Sequence, residues 1–492
     1  MRSSLILAVL HLSGLPAFTA ETVVVGSKAF TESVVLGEII RQLLEVRGIR
    51  AEHKAELGGT PVVYNGLKAG TISVYVEYTG TLMQELLADK RPTNEQEVRA
   101  RLAEQNLVLG QRLGFINNYE IGVTRELART RRLKKLSDLE QHPDLNIALS
   151  SEFLGRKDGW PLIKARYGLP QVALGMNHET AMAGLVRGKN DVTDLYSTDS
   201  EIAQYDLVKL EDDRGIMPVY HAVYLYRADL PTKAVEVLKE LEGKIDTQLM
   251  LRLNANVRIN RVSETVVAAE FLNETFGLNL PTGESRWGRL ASGMVSATWQ
   301  HLLLVIVSLA LSVAVAIPLG ILAYTRPRLG TLILATVGVI QTIPSMALLV
   351  FVIPVLGLGL WPALAALLLY SLLPIVRNTY QGLKDIPLAL KESAVVIGLS
   401  RQARLWRIEL PLASRSILVG IKTAAVINVG TATIGAIIGA GGYGQPILTG
   451  IRLDDIPMIL SGAIPAALMA LAMQGLFAVV EPLVVPKGLR VS

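Results

Sequence analysis

The last 194 residues constrain this chain most, because from residue 299 onward it carries only 13 Lys+Arg and 6 Asp+Glu, about 10 % charged. The residues before 299 are about 24 % charged, so the two parts are suited to different solvents. A bilayer-crossing helix needs roughly 17 to 25 mostly apolar residues. Five segments approach or exceed that length: 299–323, 331–352, 360–376, 416–440 and 457–483. Pro344, Pro354 and Pro374 predict kinks or breaks within them. The second part is therefore expected to be an all-α membrane domain of about five spans, and the first part to be water-soluble.

Loop charges orient the spans. With residue 298 outside, the connections 324–330 (Arg326, Arg328) and 377–415 and the tail (Lys487, Arg490) fall inside. The long inside connection carries seven Lys+Arg against three acids, as the positive-inside rule requires. Outside, Arg452 is balanced by Asp454 and Asp455. Residues 1–20 agree, with Arg2, an apolar stretch from Leu5 to Leu12 and a small residue at Ala20. They read as a secretory signal or, since bulky Phe18 stands where a small residue is preferred for cleavage, as an uncleaved anchor. Either way, the water-soluble part is exported.

From 21 to 280, short β-rich runs alternate with helical stretches, an α/β rhythm long enough for two lobes. Strands are predicted at 22–26, 72–78, 121–124, 146–149 and 219–226, with chain crossings between lobes near 120 and 219. Residues 281–298, with Pro281, Gly283, Gly288 and Gly293, read as a linker and lead-in to the membrane part 299–492.

The six histidines are scattered without ligand spacing, and the chain has no cysteine, so neither a metal site nor a thiol nucleophile is expected. The stretch 184–190 superficially suggests a phosphate loop. Its first glycine falls one residue late and Asn190 replaces the magnesium-binding hydroxyl, so no ATP site is expected. No catalytic residues and no cofactor are assigned. A net charge of +5, concentrated at the inside loops, argues for membrane topology and against nucleic acid as a partner.

Within the inside connection, Glu392, Ala394, Gly398, Ile408, Leu410 and Pro411 stand at spacings that resemble the EAA loop of ABC importer permeases. Ser393 departs from that pattern. Ala394 and Gly398 are expected to give a helix one shallow face that seats in a partner's groove. The resemblance implies that this partner is a separate cytoplasmic ABC ATPase subunit, and that two copies of the chain form the pore.

Thr298-Trp299-Gln300-His301-Leu302 and Ile317-Pro318-Leu319-Gly320 resemble the permease branch that imports glycine betaine, choline and related compounds. Gly26-Ser27-Lys28-Ala29-Phe30-Thr31-Glu32 and Glu77-Tyr78-Thr79-Gly80-Thr81 resemble the solute-binding proteins of the same quaternary-amine uptake family. That resemblance implies a two-lobed, periplasmic-binding-protein-like clamp. Its ligand contacts would fall on Lys28, Tyr78, Thr81, Asn117, Tyr119, Glu152, Arg156, Tyr196 and Tyr220, with Tyr224 as a rival to Tyr220.

The residues make chemical sense for that ligand. A trimethylammonium group donates no ordinary hydrogen bond and is held best by aromatic faces, at about 0.5 to 2 kcal/mol each. Ten of the fourteen tyrosines lie in 21–280, against one tryptophan, Trp160, so the cage is built of tyrosine. Arg156 supplies a planar fork and Lys28 a point charge for a carboxylate, with Thr81 as a hydroxyl donor, which favours a betaine over choline. Glu152 orients Arg156 or bridges the lobes. The expected function is the binding and permease subunit of an ATP-driven importer for glycine betaine or a related osmolyte (choline, proline betaine, carnitine), multi-pass in the bacterial inner membrane. The alternatives are an importer for another small solute such as an amino acid, and a membrane-anchored receptor.

Overall fold

The computed structural model describes residues 22–486 except 91, 93, 284 and 285. The expected signal and the terminal Lys487 and Arg490 lie outside the described residues. Among the described residues the first part has ten strands: β1 (Val23–Gly26), β2 (Ala51–Lys54), β3 (Val74–Tyr78), β4 (Leu107–Ile116), β5 (Tyr119–Thr124), β6 (Ile147–Ser150), β7 (Ala173–Met176), β8 (Thr193–Tyr196), β9 (Leu207–Leu210) and β10 (His221–Arg227).

Lobe 1 is a five-stranded sheet in the order β2-β1-β3-β10-β4, parallel through β1, β2 and β3, with β10 antiparallel to both neighbours. The first helix, Thr31–Val46, buries Val35, Leu36, Ile39, Ile40, Leu43 and Leu44. This i, i+3, i+4 stripe binds it to the core. Lobe 2 is built on β8-β5-β9, with the parallel pair β6-β7 joined to it by a single bridge from Ile147 to Val192. The chain passes between the lobes at residues 117–118 and returns just before Tyr220, where Asn117 N donates to Tyr220 O at 2.9 Å.

The expected open linker is brief. A helix, Arg286–Thr325, is already under way at residue 286 and runs straight into the first span, with Gly288 and Gly293 inside it. An otherwise apolar, helix-favouring run tolerates isolated glycines. Among the described residues, four helical segments are long and apolar enough to cross a membrane, or five if one bent pair counts as a span. That pair, Pro327–Thr342 and Ser345–Leu356, turns through 103°, so the expected continuous span 331–352 is broken. The cause is Pro344: its ring drives Ile343 to an extended conformation, and it cannot donate to the preceding turn. Pro354 and Pro374, by contrast, sit inside continuous helices. The third span is longer than its apolar run, extending over Leu360–Lys384.

In the membrane part, Asn428 Nδ2 donates to Ser308 Oγ at 3.0 Å and Ser371 Oγ donates to Asn428 Oδ1 at 2.7 Å, all three fully buried. One amide thus ties three spans. Asn428→Ala is expected to lower the stability of the purified chain by about 0.6 to 1.7 kcal/mol, the range for interhelical hydrogen bonds in membranes. Thermal melting in detergent measures it.

Candidate functional site

The carboxyl ends of strands from both lobes converge on one cleft, the usual ligand position in open α/β sheets. Lys28 follows β1, Tyr78 ends β3, Glu152 follows β6 and Tyr196 ends β8. The antiparallel register of β5 with β8 places Tyr119 directly opposite Tyr196. Such cross-strand neighbours have Cβ atoms about 5 Å apart, and here the ring centroids are 5.3 Å apart. Tyr220, held at the lobe crossing, meets Tyr119 edge-on at 5.5 Å. Phe30 closes the set, 5.3 Å from Tyr196 and 6.4 Å from Tyr78. Of the two rival tyrosines, Tyr220 stands in this cluster. Tyr224 packs under Gly110 with its hydroxyl buried and without a partner among the described residues.

The two cations do not stand free. Lys28 Nζ bonds Glu77 Oε1 at 2.6 Å, and Arg156 forms a fork on Asp158, with contacts of 2.9 and 2.7 Å. Arg156 also reaches Glu85 at 2.5 Å and Thr81 Oγ1 at 3.3 Å. A buried cation without a counter-charge costs several kcal/mol, so each brings its own carboxylate. The guanidinium carbon lies 5.4 Å from the Tyr119 ring centre and 5.7 Å from that of Tyr220. Burial opposes its charge, yet the surrounding rings and Asp158 hold its pKa above the usual arginine value. The expected free fork for a ligand carboxylate is thus partly committed to Asp158. Glu152 accepts from Thr60 Oγ1 at 2.8 Å and lies 3.7 Å from Arg156, so it both bridges the lobes and faces the guanidinium.

Glu32, the last residue of the first motif, is a junction that sequence reasoning missed. It accepts from Tyr78 Oη at 2.6 Å, Asn117 Nδ2 at 2.9 Å and Thr198 Oγ1 at 2.5 Å. Burial pushes its pKa up, against the pull of these donors. Phe30, Phe153, Glu85, Asp158 and His178 were missed likewise. Phe153 stacks on Tyr119 at 4.6 Å and His178 on Tyr196 at 4.2 Å, so they back the cage. An aromatic residue inside the same motif as a polar contact was the available signal for Phe30 and Phe153, whereas nothing local marks His178. A small cavity of about 20 Å3 lies behind Phe30 and Tyr196, lined also by Glu32, His178 and Arg258, with room for a water molecule. Contacts from Thr60 to Glu152 and from Glu85 to Arg156 cross between the lobes, which are shut.

On the other side of the membrane part, the helix Leu388–Val396 presents Val395, Val396 and neighbouring Ile397 to solvent, as Trp406 is presented nearby. Ala394 is buried against its own chain, so the shallow outward face expected of it is absent. Gly398 ends this helix at φ 78°, a left-handed conformation that explains glycine there. Glu392 is exposed, Ile408 and Leu410 are half-buried, and Pro411 stands in the first turn of the helix Leu410–Thr431.

Residues 21–274 match the family described as the substrate-binding domain of ABC-type glycine betaine transport systems. Residues 316–486 match the inner membrane component of binding-protein-dependent transport systems. The osmoprotectant import permease protein OsmW of Salmonella typhimurium is 40 % identical over 41 % of this chain and 95 % of its own length. The glycine betaine/carnitine/choline permease OpuCB of Bacillus subtilis is 40 % identical over 39 % of this chain and 89 % of its own. A solved glycine betaine/carnitine/choline ABC transporter structure is 28 % identical over 52 % of this chain and 99 % of its own, with a TM-score of 0.43.

His178 tests the electrostatics behind the cage. Burial opposes its charge, but Asp199 at 3.1 Å and Asp194 at 3.5 Å outweigh burial and raise its pKa well above 6.5. Its stabilisation is therefore complete below about pH 6.5 and fades as pH climbs through the raised value. Thermal melting of the full chain is expected to show a stability loss on this account at alkaline pH, and His178→Gln to flatten it.

Proposed function

The chain belongs to the ABC-type glycine betaine transport family, with substrate-binding domain and permease component joined in one polypeptide, and on that premise we propose how it captures its solute and which parts it lacks. The solute is a quaternary amine of the glycine betaine, choline and carnitine class. The observation that carries this reading is the convergence of Phe30, Tyr78, Tyr119, Tyr196 and Tyr220, which offers ring faces to a cation that cannot donate ordinary hydrogen bonds. Lys28, Thr81, Asn117, Glu152 and Arg156 line the polar side. Because both cations are already paired and Glu85 and Glu152 add negative charge beside Arg156, the site suits the ammonium end of the ligand first. A carboxylate on the ligand competes with Asp158 for the guanidinium fork.

Calorimetric titration of the full chain with glycine betaine, carnitine and choline tests this. Binding of at least one is expected, and Tyr119→Ala should weaken it roughly two- to thirtyfold, the worth of one desolvated aromatic face. Binding of an amino acid with a primary ammonium, and of no quaternary amine, would overturn the reading.

Two copies of the chain form the pore, the solute domain faces outward and the C-terminus inward. The cationic inside connections support that orientation. ATP is hydrolysed on a separate subunit that docks at 392–411, where exposed Val395, Val396, Ile397 and Trp406 supply an apolar contact amid arginines. Val396→Asp with Ile397→Asp should abolish co-purification of the ATPase and leave solute binding intact. Retained co-purification would place the docking surface elsewhere.

A further inference from the structure

The two lobes meet the permease part in different ways. Lobe 1 shares one apolar core with it, in which Leu57, Leu67 and Ile72 join Leu304, Leu358 and Leu364. The fit is close: a Cβ placed on Gly66 would lie 2.5 Å from Leu358, one on Gly357 2.5 Å from Thr71, and one on Gly439 2.9 Å from Leu57.

The outside connection then plugs into the solute domain. Arg452, only 4 % exposed, reaches Glu56 and Glu264 at 2.5 Å each and Thr31 Oγ1 at 3.1 Å. Thr449 Oγ1 donates to the other oxygen of Glu56 at 2.8 Å. Arg258 and Arg261 donate to the carbonyls of Arg452 and Leu453, and Leu453 packs into the core of the solute domain. Arg258 and Glu264 belong to helices that pack on the first helix of lobe 1.

Lobe 2 has nothing comparable. Its direct polar tie to the permease among the described residues is Arg187 to Asp454 at 2.9 Å, with side chains 63 % and 56 % exposed. Such a pair is weak and screened by salt. Beside it lies a gap of about 710 Å3 between β7 and the corner formed by Ile451 and Ile459. Across that gap Val172 and Leu174 remain 80 % and 66 % exposed. Lobe 2 is instead held to lobe 1 by contacts that closure makes: Thr60 to Glu152, Glu85 to Arg156, and Glu201 to Arg258, the same Arg258 that holds the Arg452 carbonyl.

The geometry points to lobe 1 as a fixed jaw fused to the permease, to lobe 2 as the only moving jaw, and to the Arg187–Asp454 contact as the surface through which the permease registers a shut clamp. This goes beyond the quaternary-amine reading and rests on it only for the choice of solute. Tyr78, Tyr119 and Tyr220 are only 5 %, 7 % and 2 % exposed, so solute is admitted to their ring faces only when the lobes part. With lobe 1 bolted down, that opening must be a motion of lobe 2 across the gap it overhangs. Opening carries Arg187 away from Asp454 while Arg452 stays seated.

The chain has no cysteine, so paired labels can be introduced without background. Spin labels at Arg129→Cys (lobe 2) and Trp361→Cys (permease), and in a second chain at Ala103→Cys (lobe 1) and Trp361→Cys, report the two distances in the reconstituted full-length protein. The lobe 1 pair is expected to give one narrow distribution under all conditions. The lobe 2 pair should give a shut and an open population, and Asp454→Asn should at least double the open-to-shut ratio. The charge exchange Arg187→Asp with Asp454→Arg should restore it, which simple misfolding would not. A lobe 1 distance that shifts as much as the lobe 2 distance, or a lobe 2 distance indifferent to Asp454→Asn, overturns the proposal. Glycine betaine that binds calorimetrically without enriching the shut population overturns it too. Failure of any quaternary amine to bind counts against the solute assignment alone, because the comparison of the two pairs needs no ligand.

Discussion

Arg452 is where the two parts of the chain come to depend on each other. Taking a guanidinium out of water costs several kcal/mol, and only a well-placed set of partners offsets it. Burial works against its charge, and Glu56 and Glu264 more than restore it, holding its pKa above the usual arginine value. Each partner comes from a different element of the solute domain, so the arginine can be satisfied only if the domain is folded and seated. Glu56 and Asp454, residues that make bonds across this junction, adopt left-handed backbone conformations at φ 60° and 50°. Non-glycine residues hold such angles at a cost that surrounding contacts must outweigh.

The ligand cleft obeys the same rule with a different outcome. Its two cations are taken by Glu77 and Asp158, with Glu85 and Glu152 beside Arg156 as well, so the tyrosine faces are left as the unsaturated feature. A cage of this kind discriminates by shape and polarisability, not by a single strong ion pair. The polar ring of Lys28, Glu77, Arg156 and Asp158 helps fix the rings in place, for Tyr220 donates to Asp158 at 2.7 Å and the backbone N–H of Tyr78 donates to Glu77 at 2.9 Å.

How much of this could be read from the residues depended on how local the cause was. The apolar runs located the spans because bilayer thickness sets their length. Strands with Val- and Tyr-rich runs, such as β3 and β10, were visible. Those at Ala51–Lys54 and Thr193–Tyr196 were not, since charged and polar residues occupy them and only sheet neighbours make them strands. Tyr78, Tyr119 and Tyr196, singled out by motif and ligand chemistry together, do stand in one cluster with Phe30. Their register, and the pairing of Arg156 with Asp158, depend on long-range folding that no spacing announces. Likewise the connection around Arg452 read only as one whose charges balance. Arg452 balanced by Asp454 is a sound statement about net charge, but in the folded chain the two residues turn to different lobes.

The join between the solute domain and the first membrane helix spans only the few residues between Leu280 and Arg286. A freely diffusing binding protein must find its permease by collision, and empty copies compete with loaded ones for the same landing site. A tethered domain faces neither difficulty, because its local concentration at its own pore is fixed by the length of the join and not by expression level. The stoichiometry of catcher to pore is therefore written into the polypeptide. Capture by such a chain does not depend on the abundance of a second, diffusing binding protein, and each cycle begins from a domain that is already in position.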